Sequence, residues 1–518
     1  MELTKMSPIT QLRVLKGVHL DNKYEHTYTF DNEVAQKNFF ISKSKFLYTD
    51  LTPISVNNQI RLPVEADKLY DCDYIMYQNA NFANKWFYAF ITDIQFVNIN
   101  MTIITVSIDV MQTWYFDYKI NPSFVIREHT NDDTVGANLV PENLYKGDYY
   151  DYNITYNTYT SLNKLAIVVA ASVNFGGGHV NGALYSNIYS GVTYNVFTNA
   201  TDVNNWLNAI FDKDPNNIDA ILGIFMMPLI FAQTIGTDRQ TDPIVAGWNV
   251  LIDYAEGSNI FEGYYPRNKK LFTSPYAFIE VSNNQGNTAI FKNEYIKNGV
   301  LKFKLYCTVT PNPTMTCIPQ NYNSPDYTDN RANRYDYQLT MTNFPQCSYN
   351  VDSFKAYLAQ MSVSGVLNKA ENILTPIYQN PTNPSGVIHG AMAVAGWIGD
   401  LENVYNNPPQ IKGNISADVN SINGGKIYYA VYKCIRRQFA ERIDKYFDMY
   451  GYATNNVKIP NITGRKSWNY VQTADINLTG SIPFNDIAKI KDIYNSGITF
   501  WHGDYIGNYS LDNSIVGV

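Results

Sequence analysis

Apolar and polar residues alternate through most of the first 125 positions, a period that matches a strand with one buried face. Leu12-Arg-Val-Leu15 and Tyr24-Glu-His-Thr-Tyr-Thr-Phe30 are short runs of this kind, cut by Asp-Asn pairs that favour turns. The segment from Gln11 to Thr49 therefore predicts strands. Tyr74-Ile-Met-Tyr-Gln78, Lys85-Trp-Phe-Tyr-Ala-Phe-Ile-Thr92 and the β-branched Thr102-Ile-Ile-Thr-Val-Ser-Ile-Asp109 continue the pattern, and Val110-Met-Gln-Thr-Trp-Tyr-Phe116 follows. With no helical period between them, these strands predict an antiparallel β-barrel or sandwich over residues 1–125.

The middle of the chain is read from shorter signals. Leu165-Ala-Ile-Val-Val-Ala-Ala171 predicts a buried strand. The apolar run from Asp219 to Phe231 is broken by Pro228 and falls short of the ~18 residues a membrane span needs, so it predicts a core strand or helix. Asn174-Phe-Gly-Gly-Gly-His179 lacks the spacing of a phosphate-binding loop and predicts a hairpin. Val300–Cys307 predicts a strand with Leu301, Phe303 and Leu305 on one face.

Helical period appears late. Asp352 caps a predicted helix to Met361 with Phe354, Leu358 and Met361 in one stripe. Lys433 to Tyr450 gives the cleanest helix, with Ile435, Phe439, Ile443, Tyr446 and Tyr450 on one face and Gly451 as its stop. A third runs from Asn485 as N-cap through Ile487, Ile490 and Ile493 or Tyr494 to Gly497. With strands at 427–432, about 456–459, 468–479 and 498–501, the C-terminal order reads β-α-β-β-α-β.

The fold class expected is thus a β-rich α+β multidomain chain: antiparallel β-barrel tube domains, a C-terminal β-α-β-β-α-β-like module and an inserted hydrophobic loop. Its parts are an N-terminal barrel at 1–125, a variable central domain at 126–300, a second β region at 301–350, a lead-in helix at 351–380, the loop at 381–412 and an α+β domain at 413–518. A length of 518 residues accommodates two to four domains.

Composition sharpens this picture. Hydrophobic residues make up 45% and charged residues 16%, a balance that excludes disorder, and 42 tyrosines suit both pleated surfaces and large subunit contacts. A net charge of −7 argues against a dedicated nucleic-acid binder, which gains its affinity by displacing counterions with Lys and Arg. A channel that lets nucleic acid pass without holding it would carry the same balance. Five widely spaced cysteines with no C-x-x-C pair imply free thiols. The N-terminus lacks the basic-then-apolar pattern of a secretory signal, so synthesis in a cytosol is expected.

The most unusual stretch lies between two proline hinges, Asn380-Pro-Thr-Asn-Pro384 and Asn406-Asn-Pro-Pro409. Between them Gly386-Val-Ile-His-Gly-Ala-Met-Ala-Val-Ala-Gly-Trp-Ile-Gly399 is small, apolar and without formal charge. As a helix it would reach roughly 20 Å, short of a ~30 Å hydrocarbon layer, so a single copy cannot span. A buried Ala/Gly-rich core helix and a presented, membrane-active loop both fit these residues. On the second reading the contacts would come from Val387, Ile388, Ala391, Met392, Val394, Trp397, Ile398 and Ile411.

Catalytic and metal chemistry is thinly represented. His129 with Asp132 and Asp133 is the best metal-like group, but it sits in a polar turn where Asp ordinarily caps backbone. Asp71 and Asp73 form the best carboxylate pair. No nucleophile motif occurs, and His389 within the apolar loop is a candidate proton-sensitive group. No enzyme activity, cofactor or metal is expected.

Several aromatic motifs then point to one family. Lys85-Trp-Phe-Tyr-Ala-Phe, Ile108-Asp-Val-Met-Gln-Thr-Trp114 and Ser123-Phe-Val-Ile-Arg-Glu-His129 resemble the distal tail tube, or tail knob, proteins of phi29-like short-tailed bacteriophages. Towards the other end Tyr450-Gly-Tyr452, Val457-Lys-Ile-Pro-Asn461, Trp468-Asn-Tyr-Val-Gln-Thr473, Gly497-Ile-Thr-Phe-Trp-His502 and Ile506-Gly-Asn-Tyr-Ser510 resemble the same family. The resemblance implies a homohexameric tube at the distal tip of a virion tail, working with other tail proteins and passing DNA without specific binding. It also implies a hydrophobic loop that plugs the tip and enters the host membrane; Gly386–Ile411 stands in that place but is much shorter than the family's loop. A receptor-binding or polysaccharide-cleaving tail spike is the alternative, although the repeated rungs of a β-helix are not visible.

Overall fold

Alternation at the N-terminus becomes a six-stranded antiparallel sheet. In chain order the elements are β1 (Ile9–Lys16), β2 (His26–Tyr28), α1 (Glu33–Ser42), β3 (Ser44–Leu51), β4 (Gln59–Leu62), β5 (Cys72–Asn79), β6 (Lys85–Asn98), β7 (Met101–Ile108), the helical turn α2 (Val110–Thr113), β8 (Tyr118–Ile120) and β9 (Ser123–Glu128). The structure is a computed structural model. It describes residues 9–51, 58–79, 82–156, 165–175, 184–185, 188–189, 193–214, 217, 220–232, 246–251, 260–283, 287–296, 299–307, 314–319, 322, 339–341, 346–347 and 428–517. The Gly386–Ile411 loop, the helix expected at Asp352–Met361 and the glycines of the 174–179 turn lie outside these residues. Within them the chain divides into two compact units, one of Met1–Tyr145, Pro266–Leu271 and Gln438–Val518, the other of Lys146–Tyr265 and Phe272–Arg437.

In the first unit the sheet order is β3-β1-β5-β6-β7-β4. Successive side chains face opposite sides, so the sheet feeds two cores. Tyr74, Met76, Tyr88 and Phe90 enter a large aromatic core. Leu12, Val14, Ile75, Ala89, Ile104 and Val106 join Ile60, Leu62, Leu69 and Cys72 in a second core supplied by the sheet itself and the turn beside it. Strands far apart in the sheet order meet there, so the sheet curls over this cluster as a half-barrel does. Its edges are β3 and β4.

Two elements correct the all-strand expectation for this region. Helix α1 falls within Gln11–Thr49; only Gln36 and Phe40 are buried along it, too few to imprint a helical period, and its start is fixed by the Asn32 side chain accepting from the Ala35 N–H at 2.9 Å. Val110–Thr113 is likewise helical. Buried Asp109 caps it, accepting from the Met111 and Gln112 N–H groups at 3.0 and 3.1 Å and from the Tyr74 hydroxyl at 2.7 Å.

The second unit continues with β10 (Tyr149–Tyr156), β11 (Leu165–Ala171), β12 (Leu184–Tyr185), β13 (Ile188–Tyr189), β14 (Thr193–Phe197), α3 (Ala200–Phe211), β15 (Ile221–Pro228), α4 (Leu229–Ala232), β16 (Ala246–Leu251), β17 (Ala277–Ser282), β18 (Thr288–Lys292), β19 (Val300–Cys307), β20 (Met315–Pro319), β21 (Leu339–Met341), β22 (Gln346–Cys347) and β23 (Tyr429–Ile435). They form sheets ordered β10-β23-β17-β18, β14-β11-β15-β22 and β16-β19-β20-β21, with β12-β13 as a hairpin. β11 is buried from Ala166 to Ala171, which explains its unbroken apolar run. The Asp219–Phe231 run resolves into strand β15 and the turn α4. Leu301, Phe303 and Leu305 are buried together on β19, as their spacing predicts.

The chain then completes the first unit with α5 (Arg437–Tyr450), β24 (Tyr452–Lys458), β25 (Trp468–Asp475), β26 (Leu478–Gly480), α6 (Phe484–Ser496) and β27 (Ile498–Trp501). From β23 onward the order has one strand more than β-α-β-β-α-β, because the 468–479 run splits in two. Nor do its strands share one sheet: β23 pairs with β10 and β17, while β24, β25 and β27 join β2 and β9 in the order β2-β27-β25-β9-β24. Helix α5 starts at Arg437, since Lys433–Ile435 finish a strand. Its buried stripe is Ala440, Ile443, Asp444 and Phe447. Gly451 ends it at φ +63, with its N–H on the Phe447 carbonyl at 2.8 Å; a Cβ there would lie 2.1 Å from the Glu128 carbonyl oxygen, so only glycine fits. Helix α6 begins at Phe484 after Pro483, with Asn485 inside its first turn.

Trp468 and Trp501, both fully buried with ring centroids 5.3 Å apart, bring these late elements into the aromatic core of Tyr28, Phe40, Tyr74 and Trp114. β2 and β27 pair in parallel, Tyr28 opposite Trp501. The first and last elements of the chain therefore share one core.

Candidate functional site

A buried stripe on α5 with a carboxylate at its centre is the point from which the most polar part of the first unit is built. Asp444 accepts from the backbone N–H of Arg267 at 2.8 Å and of Asn268 at 3.0 Å, and from the Asn268 side-chain amide at 2.9 Å. One turn on, Asp448 accepts from the same amide at 2.9 Å and pairs with Arg267 at 3.5 Å. The Asn268 oxygen lies 3.2 Å from the Tyr452 hydroxyl, which donates to Asp133, and Asp133 also accepts from the Lys269 N–H at 3.3 Å. Six residues, Pro266–Leu271, are thereby strapped onto the helix.

A second centre lies on the fully enclosed Glu142. Its oxygens accept from Lys270 Nζ at 2.9 Å and from the Ala453 N–H at 2.8 Å, and they pair with Arg127. Lys270 Nζ also donates to the Val140 carbonyl at 2.8 Å and lies 5.3 Å from the centre of the Tyr452 ring. Arg127 donates to the Gly451 carbonyl at 2.7 Å and rests over Tyr446. Every one of these groups belongs to the first unit, and they come from the three segments by which the chain leaves and re-enters it.

Burial sets the electrostatics. It pushes the Asp448 carboxyl up to about 6, helped by the charge of Asp444 one turn away. Burial also raises Asp133 and lowers Lys270, the latter opposed by its bond to Glu142. The arrangement pairs cations with anions and carboxylates with backbone N–H groups, so it holds chain segments together. Among the described residues no group of three His, Cys, Asp or Glu is placed to hold a metal.

The residues singled out from sequence separate in space. His129 is buried, with Nδ1 accepting from the Tyr470 N–H at 2.8 Å and Nε2 on the Asp448 carbonyl at 3.0 Å. Burial, with Arg465 nearby, drives its pKa down to about 3, and both ring nitrogens are occupied. Asp132 folds back onto the Thr134 N–H at 2.9 Å, while Asp133 belongs to the strap. Asp71 pairs with Lys16 at 2.8 Å and with Lys45, whereas Asp73 accepts from the Val18 N–H at 3.3 Å, so the two carboxylates serve different partners. Cys72, Cys307, Cys317 and Cys434 are buried thiols, and burial raises the pKa of each. The eight loop residues from Val387 to Ile411, and His389, lie outside the described residues. Sequence reading missed Asp444, Glu142, Asn268 and Lys270. The one legible sign was Asp444, a carboxylate in the middle of a helical stripe that turned out to be the buried one.

A β-rich fold whose polar interior fastens segments together matches known proteins over its whole length. The family model for the C-terminal domain of the tail knob protein gp9 of Bacillus phage phi29 matches residues 253–514, and that for the N-terminus of caudoviral major tail proteins matches residues 8–119. The tail knob proteins gp9 of Bacillus phages phi29 and PZA are 30% and 28% identical, with 98% of each chain covered in both cases. These alignments run over 601 and 596 positions, more than the 518 residues of this chain, so the relatives carry segments that it lacks. The solved tail knob protein gp12 of bacteriophage C1 shares the fold, with a TM-score of 0.64 at 16% identity over 98% of this chain and 100% of that one. Fold and matches together define a structural protein of a phage tail. Within that class, the chain belongs to the phi29-type tail knob protein gp9 family.

Proposed function

We propose that this chain forms a closed hexameric ring at the distal end of a short phage tail, and that the ring passes the genome through its centre. The observation that carries this reading is the end-to-end match to tail knob proteins, covering 98% of both partners. A chain with 42 tyrosines and 26 phenylalanines has side chains suited to subunit contact, and a conduit requires cyclic closure. The ring works beside other tail proteins, in a virion whose parts are made in the host cytoplasm. Mass photometry and electron microscopy of the purified chain test it: six copies in a ring are expected, and a monomer at high concentration with a virion stoichiometry other than six would overturn it.

The channel passes DNA without holding it, because a chain of net charge −7 gains little from counterion release. Micromolar binding at low salt that collapses as salt is added would contradict this. Gly386–Ile411 is the membrane-active tip in the same reading, supported by small residues that pack closely around an axis and by Trp397, suited to a bilayer interface. Val394→Asp with Ile398→Asp is expected to leave the ring intact and abolish leakage from liposomes. Leakage that persists in an intact ring places the tip elsewhere.

A further inference from the structure

Asn268 is the node of the strap. Its side-chain amide reaches both Asp444 and Asp448 at 2.9 Å, although the two carboxylates stand one turn apart on α5 and repel one another. Its oxygen lies beside the Tyr452 hydroxyl, which is bonded to Asp133, so the carboxylates of Asp133, Asp444 and Asp448 converge on one neutral side chain. Donors are shared unevenly among them. Asp444 takes the N–H groups of Arg267 and Asn268 besides the amide, and Asp133 takes the Tyr452 hydroxyl and the Lys269 N–H. Asp448 has the amide, with Arg267 at 3.5 Å.

The cations around Asp448 leave its charge poorly compensated. Arg267 is half exposed, where water screens it. Arg465 is enclosed, but its guanidinium rests on the Thr130 and Asn513 carbonyls and forms no ion pair among the described residues. His129 brings no charge, since its Nδ1 accepts from the Tyr470 N–H and its Nε2 is spent on the Asp448 carbonyl. Lys270 is committed to Glu142, and Lys445, on the same turn of α5, is exposed. A proton that enters this cluster therefore settles on Asp448, the carboxyl with the fewest donors, and burial beside Asp444 holds that group up at about 6.

We propose that the strap is a proton-held latch: in mildly acidic solution the Asp448 carboxyl keeps a proton while Pro266–Leu271 lies closed on α5 and gives it up when the strap lifts into water, so that the strap lifts more readily as pH rises. Lifting returns the carboxyl to its ordinary 3.8; below that value both forms carry the proton, and above about 6 neither does. From these two values the equilibrium constant for lifting rises about tenfold between pH 5 and pH 7.5. Lys270, which burial lowers, acts in the opposite sense, and it stays in place in each variant below. Hydrogen exchange of the full chain, followed by mass spectrometry and corrected for the intrinsic effect of pH, reads the lifting from the amides of Arg267, Asn268 and Lys269, while the amides of β7 report unfolding of the first unit. The strap is expected to exchange ahead of β7 and to show that tenfold rise, and Asp448→Asn is expected to remove most of the rise. The latch is overturned by strap amides as well protected as those of β7, by a strap opening that does not change with pH, or by a rise that persists in full in Asp448→Asn. If the Asp448→Asn chain does not fold, Arg267→Gln decides: loss of the ion pair to Asp448 is expected to move the rise to higher pH, and a rise that stays in place overturns the proposal.

Discussion

Asp109→Asn is the most informative single change in the first unit. Burial raises the Asp109 carboxyl from an ordinary 3.8 to about 6, against the lowering effect of its bonds to Tyr74, Gln112 and Met111. An acid with a raised folded pKa holds its proton in the folded state at pH values where the unfolded chain has lost it. Stability from this group is therefore greatest in acid and is lost as pH rises through the window from 3.8 to about 6. At 1.36 kcal/mol per unit, the ionised group lowers stability by about 3 kcal/mol near pH 7.5, of which about 1.4 kcal/mol is recovered on going down to pH 5. Asparagine keeps an oxygen for the two N–H groups of α2 and carries no charge to desolvate. Urea unfolding of parent and variant, at equal concentration and at several pH values between 5 and 7.5, reads the effect. The parent is expected to gain stability on acidification relative to the variant by about that 1.4 kcal/mol. Parallel profiles for the two proteins would refute the argument that burial, and not its hydrogen bonds, governs this carboxyl.

Other expectations follow from the strap and the caps. Asp444→Ala removes the acceptor of the Arg267 N–H and leaves the Asn268 N–H buried without one, and it is expected to destabilise by about 3 kcal/mol. Trypsin should then cut at Arg267, Lys269 or Lys270 faster than in the parent, and an unchanged digestion pattern would count against the strap. Gly451→Ala forces a left-handed backbone and a Cβ against the Glu128 carbonyl, for about 2 kcal/mol or more; thermal melting that is unaltered would mean the helix end relaxes freely. Asp448, pushed up to about 6 like Asp109, adds in the same direction to the gain on acidification, and Asp448→Asn should reduce it, as followed by urea unfolding across the same pH range.

Strands were legible where one face is buried: β1 and β7 appear in the sequence as alternation because their inward residues are apolar, whereas β5, with Tyr74, Ile75 and Met76 all buried, appears as a short unbroken apolar run. Helix α1 was hidden because only Gln36 and Phe40 are enclosed, so its ten residues carry no stripe. In α5 the period was visible but its phase was misjudged, since Asp444 occupies the centre of the buried face and the aromatic Phe439, Tyr446 and Tyr450 lie at its margins. The strap was illegible for a plainer reason. Asp133 and Glu142, Asn268 and Lys270, and Asp444 come from three stretches far apart in sequence, and each residue alone looks like an ordinary solvated side chain. Family membership was legible from long aromatic motifs such as Trp468–Thr473.

The parallel pairing of Tyr28 with Trp501 sets a clock on biosynthesis. At roughly 5–20 residues per second, a ribosome needs on the order of 25–100 s between exposing β2 and releasing β27. Until then the aromatic core of the first unit lacks Trp468, Phe500 and Trp501, and a chain cut short by premature termination never acquires them. The core of the first unit can therefore close only after synthesis has passed β27.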